Sequence, residues 1–299
     1  MTRMLASVRT WGEMIKFSHS IFALPFALLA VFLAARPELP SPVSFALIVI
    51  CMVAARSAAM TFNRIADARI DAGNPRTAGR PLPAGTIRPT QAWLFFWLAC
   101  ALFIAACGGF WFASANVWPL RLSVPTLLGL CLYSHAKRFT LFAHLWLGAG
   151  IAFAPVAAWI AIRPDTLGVT AWALMAGVLF WISGFDMIYA CQDVDYDRRD
   201  GLHSIPARFG VPAALTLARF FHVFTVAALI GVGVLSGLGI IYYIGVACVA
   251  LLLIVENAIV SPNDLSRVNL AFFTVNGVVG LVLGTLGIID VCMHLPTAP

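Results

Sequence analysis

Charged residues are scarce in this chain. Only 11% of its 299 residues are Asp, Glu, Lys or Arg, against 61% that are hydrophobic. That balance excludes an ordinary water-soluble domain, in which about a quarter of the residues are charged. Cysteine is present but never grouped. Cys51, Cys100, Cys107, Cys131, Cys191, Cys248 and Cys292 stand singly, almost all within apolar runs, and no CxxC spacing occurs. They read as small buried hydrophobes, not as zinc ligands or disulfides. No removable leader is expected either. Met1 to Lys16 carries Arg3, Arg9, Glu13 and Lys16 ahead of a long apolar stretch without a small-residue cleavage site, so the first apolar segment is expected to stay in the protein. The net charge is +6, yet the basic residues sit at segment ends and in short loops. Membrane orientation explains that distribution better than a nucleic-acid partner does.

What the chain has in quantity is apolar segments near the roughly 20 residues that a membrane-crossing helix needs. They run over 17–35, 43–62, 91–113, 117–134, 141–162, 167–190, 212–233, 237–257 and 270–292. The expected fold is all-α: a polytopic bundle of about nine transmembrane helices in one integral-membrane domain, residues 1–299. The fourth segment has Arg121 near its start and Pro125 within it, which leaves eight crossings open beside nine. Lys and Arg gather in the N-terminus and the loops 63–90, 135–140, 191–211 and 258–269, while the alternate loops hold only Arg36, Arg121 and Arg163. The positive-inside rule then puts the N-terminus and the long loops in the cytoplasm, and an odd number of crossings puts the C-terminus outside a cell (inner) membrane.

The two longest loops share a frame. Asn63, Asp67 and Asp71 precede Tyr189, Asp193 and Asp197 by 126 positions each, so that NxxxDxxxD and YxxxDxxxD superpose. This suggests a four-helix pseudo-repeat plus one helix. On a helix, residues four apart share a face, so Asp67 and Asp71 should project together, as should Asp193 and Asp197. Magnesium takes octahedral oxygen ligation from one or two carboxylates, waters and substrate phosphates, which suits two such pairs. Zinc does not fit, because neither cluster has His or Cys at ligand spacing. The clustered acids Asp186, Asp193, Asp195, Asp197 and Asp200 would repel one another without cations. The plainer reading, solvated loop acids beside a membrane, loses force because two clusters share one frame.

Basic residues surround the acids. Arg56 lies two turns before Asn63 in the second segment, where a charge usually marks a functional cavity. Lys16 and Lys137 are further candidates, whereas Arg138 also fits a simple interfacial anchor. The Gly- and Pro-rich stretch Gly73 to Gly85 favours fixed turns over a long helix and reads as an ordered lid. Its Arg76 and Arg80 could reach a substrate phosphate or, equally, anionic headgroups. His203 reads as a loop residue.

On three motifs the sequence resembles the UbiA-type family of membrane aromatic prenyltransferases. These are Asn63 to Asp71 running into Asn74-Pro75-Arg76-Thr77 and Arg80 to Gly85, then Tyr133-Ser134-His135-Ala136-Lys137-Arg138, and finally Asp186 to Asp197. The resemblance covers essentially the whole chain. It implies a nine-helix bundle and Mg²⁺-dependent transfer of a polyprenyl chain from its diphosphate to an aromatic ring in quinone biosynthesis. It further implies that Asn63, Asp67, Asp71, Asp193 and Asp197 bind the Mg²⁺-diphosphate, with the four aspartates as metal ligands. Tyr133, Ser134, Lys137 and Arg138 would assist at the diphosphate or acceptor, and Tyr189 completes the second motif. The segments Ile15 to Phe26 and Gly201 to Gly210 look like the branch acting on 4-hydroxybenzoate, an aromatic acid for which Arg56 or Lys16 would supply a cation. Some members of that branch are similar to enzymes that act on 1,4-dihydroxy-6-naphthoate on the futalosine route to menaquinone. Branches that prenylate haem or chlorophyll precursors are a further option. From another class, an ion-coupled transporter would also carry intramembrane carboxylates in repeated halves, although both Asp clusters lie at segment ends and not near the bilayer midplane.

Overall fold

The structure, a computed structural model, describes residues 10–15 and 20–295. Each of the nine apolar stretches is helical: α1 (Ser20–Ala35), α2 (Pro42–Ala66), α4 (Pro89–Ser114), α5 (Trp118–Leu132), α6 (Ala143–Ile162), α7 (Val169–Ala190), α10 (Val211–Ser236), α11 (Ile240–Ile259) and α12 (Val268–Met293). Short helices α3 (Ala68–Gly73), α8 (Val194–Arg199) and α9 (Ile205–Phe209) lie in the long loops. Among the described residues seven helices are long and apolar enough to cross a membrane, and α1 is a shorter apolar helix. The fourth stretch, α5, is a 15-residue helix with Pro125 inside it.

Proline sets several starts. Pro42 and Pro89 open their helices, and Pro119 and Pro212 fall in the first turn of theirs, where the missing N–H has no intrahelical partner to lose. Gly237 ends α10 at φ 59°, its N–H donating to Val234 O and the Leu238 N–H to Gly233 O, a left-handed cap that favours glycine.

The chain divides into two compact units. The first comprises residues 1–20 and 46–135. Its core sets Ala54 and Ala58 of α2 against Phe96, Ala99, Cys100, Phe103 and Cys107 of α4 and Leu127 of α5. Small residues on α2 let the larger rings of α4 pack close. The seven cysteines are free, and the Cys51 and Cys107 sulfurs lie 3.8 Å apart. Cys100, Cys107 and Cys191 are buried as expected, but Cys292 is exposed at the end of α12 and the other three are half-buried.

The second unit comprises residues 21–45 and 136–299. Its centre is α7, packed on α6 and α10, with Leu174, Val178, Trp181, Ile182, Phe185 and Ile188 buried. At Gly284 of α12 an added Cβ would lie 3.0 Å from Pro25 Cα and 3.0 Å from its carbonyl oxygen, so glycine permits the close approach of α1 to α12. One end of this unit is tied by Arg36, which donates to Ser236 O (2.7 Å), and by Arg163, which donates to Arg36 O (3.1 Å). Buried Asp290 accepts from the backbone N–H groups of Gly239 (2.7 Å) and Tyr242 (3.3 Å), satisfying donors that the start of α11 leaves open. A π turn, Ala271–Val275, interrupts α12. The hydrophobic spacing gave no sign of it.

Candidate active site

In the first unit, α2 runs on to Ala66, so Asn63 stands on the helix itself. The helix does not continue through the motif. Asp67 takes φ −95°, ψ 5° and separates α2 from α3. Aspartate favours such junctions because its short side chain competes for local backbone partners. The four-residue link survives: Asp67 N–H donates to Asn63 O (2.9 Å) and Asp71 N–H to Asp67 O (2.8 Å). Asn63 Nδ2 donates to Asp67 Oδ2 at 3.0 Å. Asp71 is buried; its Oδ1 accepts from Arg80 Nη1 at 2.6 Å, and Arg64 Nη1 lies 3.9 Å from its Oδ2. Thr77 donates to Asp71 O at 3.0 Å, pinning the Gly- and Pro-rich turns to α3. Arg64, buried at the end of α2, is within electrostatic reach of Arg80, Asp71, Tyr133 and Asp67. Arg56 is within reach of Tyr133 and Arg64, and its Nε is buried without a hydrogen-bond partner, as is Ser134 Oγ.

The second unit repeats this local path. Asp193 takes φ −107°, ψ 8° after α7 and a 3₁₀ turn, and a six-residue helix follows, as α3 follows Asp67. Of the five clustered acids, Asp195 and Asp200 face out, whereas Asp193 and Asp197 are buried and Asp186 is half-buried. Ser204 donates to Asp197 Oδ2 at 2.8 Å, and its Oγ accepts the Ala207 N–H at 3.3 Å as the cap of α9. Lys137, His144 and Asp193 lie within electrostatic reach of Asp197. His203 N–H donates to Lys137 O at 2.7 Å, tying the loop after α8 to the segment that leads into α6. His144, fully buried in the first turn of α6, donates from Nδ1 to Asp186 Oδ2 at 2.7 Å. Tyr189 lies against Phe272, with ring centroids 4.1 Å apart.

The sequence pattern of the UbiA prenyltransferase family matches residues 23–278. The chain belongs to that family. It is therefore an enzyme, a prenyltransferase, held in the membrane by apolar helices, and the carrier alternative falls away. It is 30% identical over 266 residues to the 4-hydroxybenzoate octaprenyltransferase of Nitrosomonas europaea, covering 84% of this chain and 86% of that protein. The apo structure of a UbiA homolog from Aeropyrum pernix K1 matches with a TM-score of 0.82 at 33% identity, over 91% of this chain and 98% of that one. A UbiA homolog from Archaeoglobus fulgidus, solved with GPP and Mg²⁺, shares the fold with a TM-score of 0.69 at 18% identity, over 95% and 99% of the two chains.

In this UbiA-family prenyltransferase each acidic turn is a candidate metal site on its own. Among the described residues, no three His, Cys, Asp or Glu side chains gather into a ready cage. That suits a hard cation which takes only one or two carboxylates and fills its remaining positions with water and phosphate. Asp71 Oδ2 is buried without a hydrogen-bond partner, an acceptor a cation would satisfy. The residues present fit Mg²⁺. Arg80 is committed to Asp71 by a short ion pair, whereas Arg76 and Arg138 are exposed. Lys16 lies outside the described residues. The motif spacing missed Arg64, His144, Asp186 as a paired group, and Ser204. His144 carried a faint signal, a histidine in the first turn of an apolar helix, but its partner is 42 positions away.

Proposed function

We propose that this prenyltransferase moves a polyprenyl chain from its diphosphate to the ring of an aromatic acid such as 4-hydroxybenzoate, with Mg²⁺ held at both acidic turns on the cytoplasmic side of an inner membrane. The observation that carries the reading is the duplicated turn: in each unit an aspartate stands between a spanning helix and a six-residue helix, and a second, buried aspartate follows four residues on. Gathering buried carboxylates beside lipid is costly unless cations join them. The name of the Nitrosomonas relative supports the acceptor, and the bound molecules of the Archaeoglobus structure support the donor and the metal.

In this reading Asn63, Asp67, Asp71, Asp193 and Asp197 would hold Mg²⁺ on the diphosphate. Magnesium supplies charge neutralisation there, which stabilises the leaving group. Lys137 and Arg138 add positive charge at the diphosphate, and Arg76 joins them from the lid. Arg80 acts chiefly by holding Asp71. As the allylic C–O bond breaks, its electron pair leaves with the diphosphate. The electron-rich ring forms the new C–C bond, and the ring carbon then loses its proton. Tyr133, Ser134, Tyr189 and Arg56 bind substrate, with Arg56 or Lys16 facing the acceptor carboxylate.

The test is transfer in detergent-solubilised enzyme with geranyl diphosphate and 4-hydroxybenzoate. Product should require Mg²⁺ and should be lost in Asp67→Asn and Asp193→Asn proteins that still insert and fold. Unimpaired turnover in both variants would overturn the proposal. Preference for 1,4-dihydroxy-6-naphthoate in a competition assay would keep the donor site and change only the acceptor.

A further inference from the structure

The second unit contains a buried polar group outside both acidic turns. Glu256, Asn276 and Trp181 belong to three different helices, α11, α12 and α7, and all are fully buried. Trp181 Nε1 donates to Asn276 Oδ1 at 2.6 Å; Asn276 Nδ2 donates to Glu256 Oε1 at 2.7 Å and to Ala271 O at 3.0 Å. Both amide hydrogens and the amide oxygen of Asn276 are thus engaged. Within apolar helices a carboxyl group and an amide are costly to bury, and such residues usually serve a function.

Their position shows what they act on. Ala271 O lies at the start of the π turn Ala271–Val275, and Asn276 follows its end. A π turn inserts one residue into the helical register and is frequent at functional sites. The Asn276 amide spans the turn and holds it to Glu256 and Trp181. Phe272, carried by the turn, lies 4.1 Å from the Tyr189 ring, 5.1 Å from Phe185 and 5.7 Å from Phe22 between centroids. Tyr189 is four residues ahead of Asp193. An α-helical register here would rotate Phe272 by about 100° and withdraw it from Tyr189.

We propose that Glu256, Asn276 and Trp181 are positioning residues that lock the π turn and, through Phe272, hold Tyr189 against the isoprenyl diphosphate. The inference rests on the donor-site reading above. Glu256 acts as a hydrogen-bond acceptor, so Glu256→Gln, which keeps a carbonyl oxygen toward Asn276, retains the lock, whereas Glu256→Leu releases it.

Two measurements on the full-length enzyme in lipid nanodiscs separate this idea from the donor-site reading. Backbone hydrogen exchange over 268–276 should rise in Glu256→Leu and Asn276→Leu and stay at the wild-type level in Glu256→Gln; this readout does not depend on activity. In transfer assays, Glu256→Leu should raise KM for geranyl diphosphate by roughly threefold to tenfold, the worth of one hydrogen bond or aromatic pair, and leave KM for the acceptor unchanged. Should Glu256→Leu fail to fold, Phe272→Leu leaves the lock intact and should raise the donor KM alone. Wild-type exchange in Glu256→Leu, equal damage from Gln and Leu, or an unchanged donor KM in Phe272→Leu would each overturn the proposal. Raised exchange in an enzyme without prenyl transfer would sustain the lock and sink the donor-site reading.

Discussion

Ser204→Ala removes one oxygen with two duties, and the two losses fall on different observables. The hydroxyl donates to Asp197 Oδ2 at 2.8 Å inside the protein, where Asp197 is 2% exposed. A charge-assisted bond of this kind contributes about 1.5–3 kcal/mol. Outer partners of metal-binding carboxylates typically carry roughly 10- to 100-fold in metal affinity or activity. The Mg²⁺ concentration for half-maximal transfer should therefore rise by about 10- to 100-fold. The same oxygen accepts the Ala207 N–H and caps the five-residue helix α9, so stability should fall by about 1 kcal/mol, the usual value of a lost N-cap. The assay is a Mg²⁺ titration of transfer, run beside thermal unfolding in detergent. A double-mutant cycle with Asp197→Asn isolates the first effect: if Ser204 acts through Asp197, its removal should raise the Mg²⁺ requirement little further in the Asn background. Wild-type Mg²⁺ dependence in Ser204→Ala, or full additivity with Asp197→Asn, would refute the reasoning.

Among the described residues Arg80→Ala leaves buried Asp71 with Arg64 at 3.9 Å as its ion-pair partner; because Arg80 is 22% exposed, the expected destabilisation is about 1–3 kcal/mol, short of a fully buried pair, with partial recovery in Arg80→Lys by thermal unfolding. Gly284→Ala forces a methyl group onto the Pro25 backbone and should lower stability by about 1–3 kcal/mol, the range for overpacking, with transfer per folded molecule unchanged. Asp290→Ala strips the Gly239 and Tyr242 N–H groups of their acceptor and should cost about 1–3 kcal/mol for each buried donor left open, read by faster hydrogen exchange at the start of α11.

Seven spanning helices were legible because lipid imposes one dominant rule, about twenty apolar residues in a row; the fourth segment, where Arg121 and Pro125 obscured it, is a 15-residue helix. The acidic turns were legible because their residues are local: Asn63, Asp67 and Asp71 sit within nine positions and carry an unusual charge for their surroundings. Partners drawn from distant helices were not. His144 meets Asp186, and Trp181 meets Asn276 across 95 positions, pairings that depend on which helices pack together and leave no periodic trace. The break at Asp67 also escaped, since NxxxDxxxD satisfies a continuous helix as well as a broken one.

The grouping of α1 with residues 136–299, and not with the segment it precedes, has a consequence for how the protein is made. Phe22 packs on Trp181, Phe185 and Phe272, and Pro25 abuts Gly284, so α1 meets the first of these partners only once α7 has been made and the last only once α12 has. At about 5–20 residues per second, it waits in the bilayer for ten seconds or more. During that interval a face destined for protein lies open to lipid, and a factor that shields nascent membrane helices would find a client there.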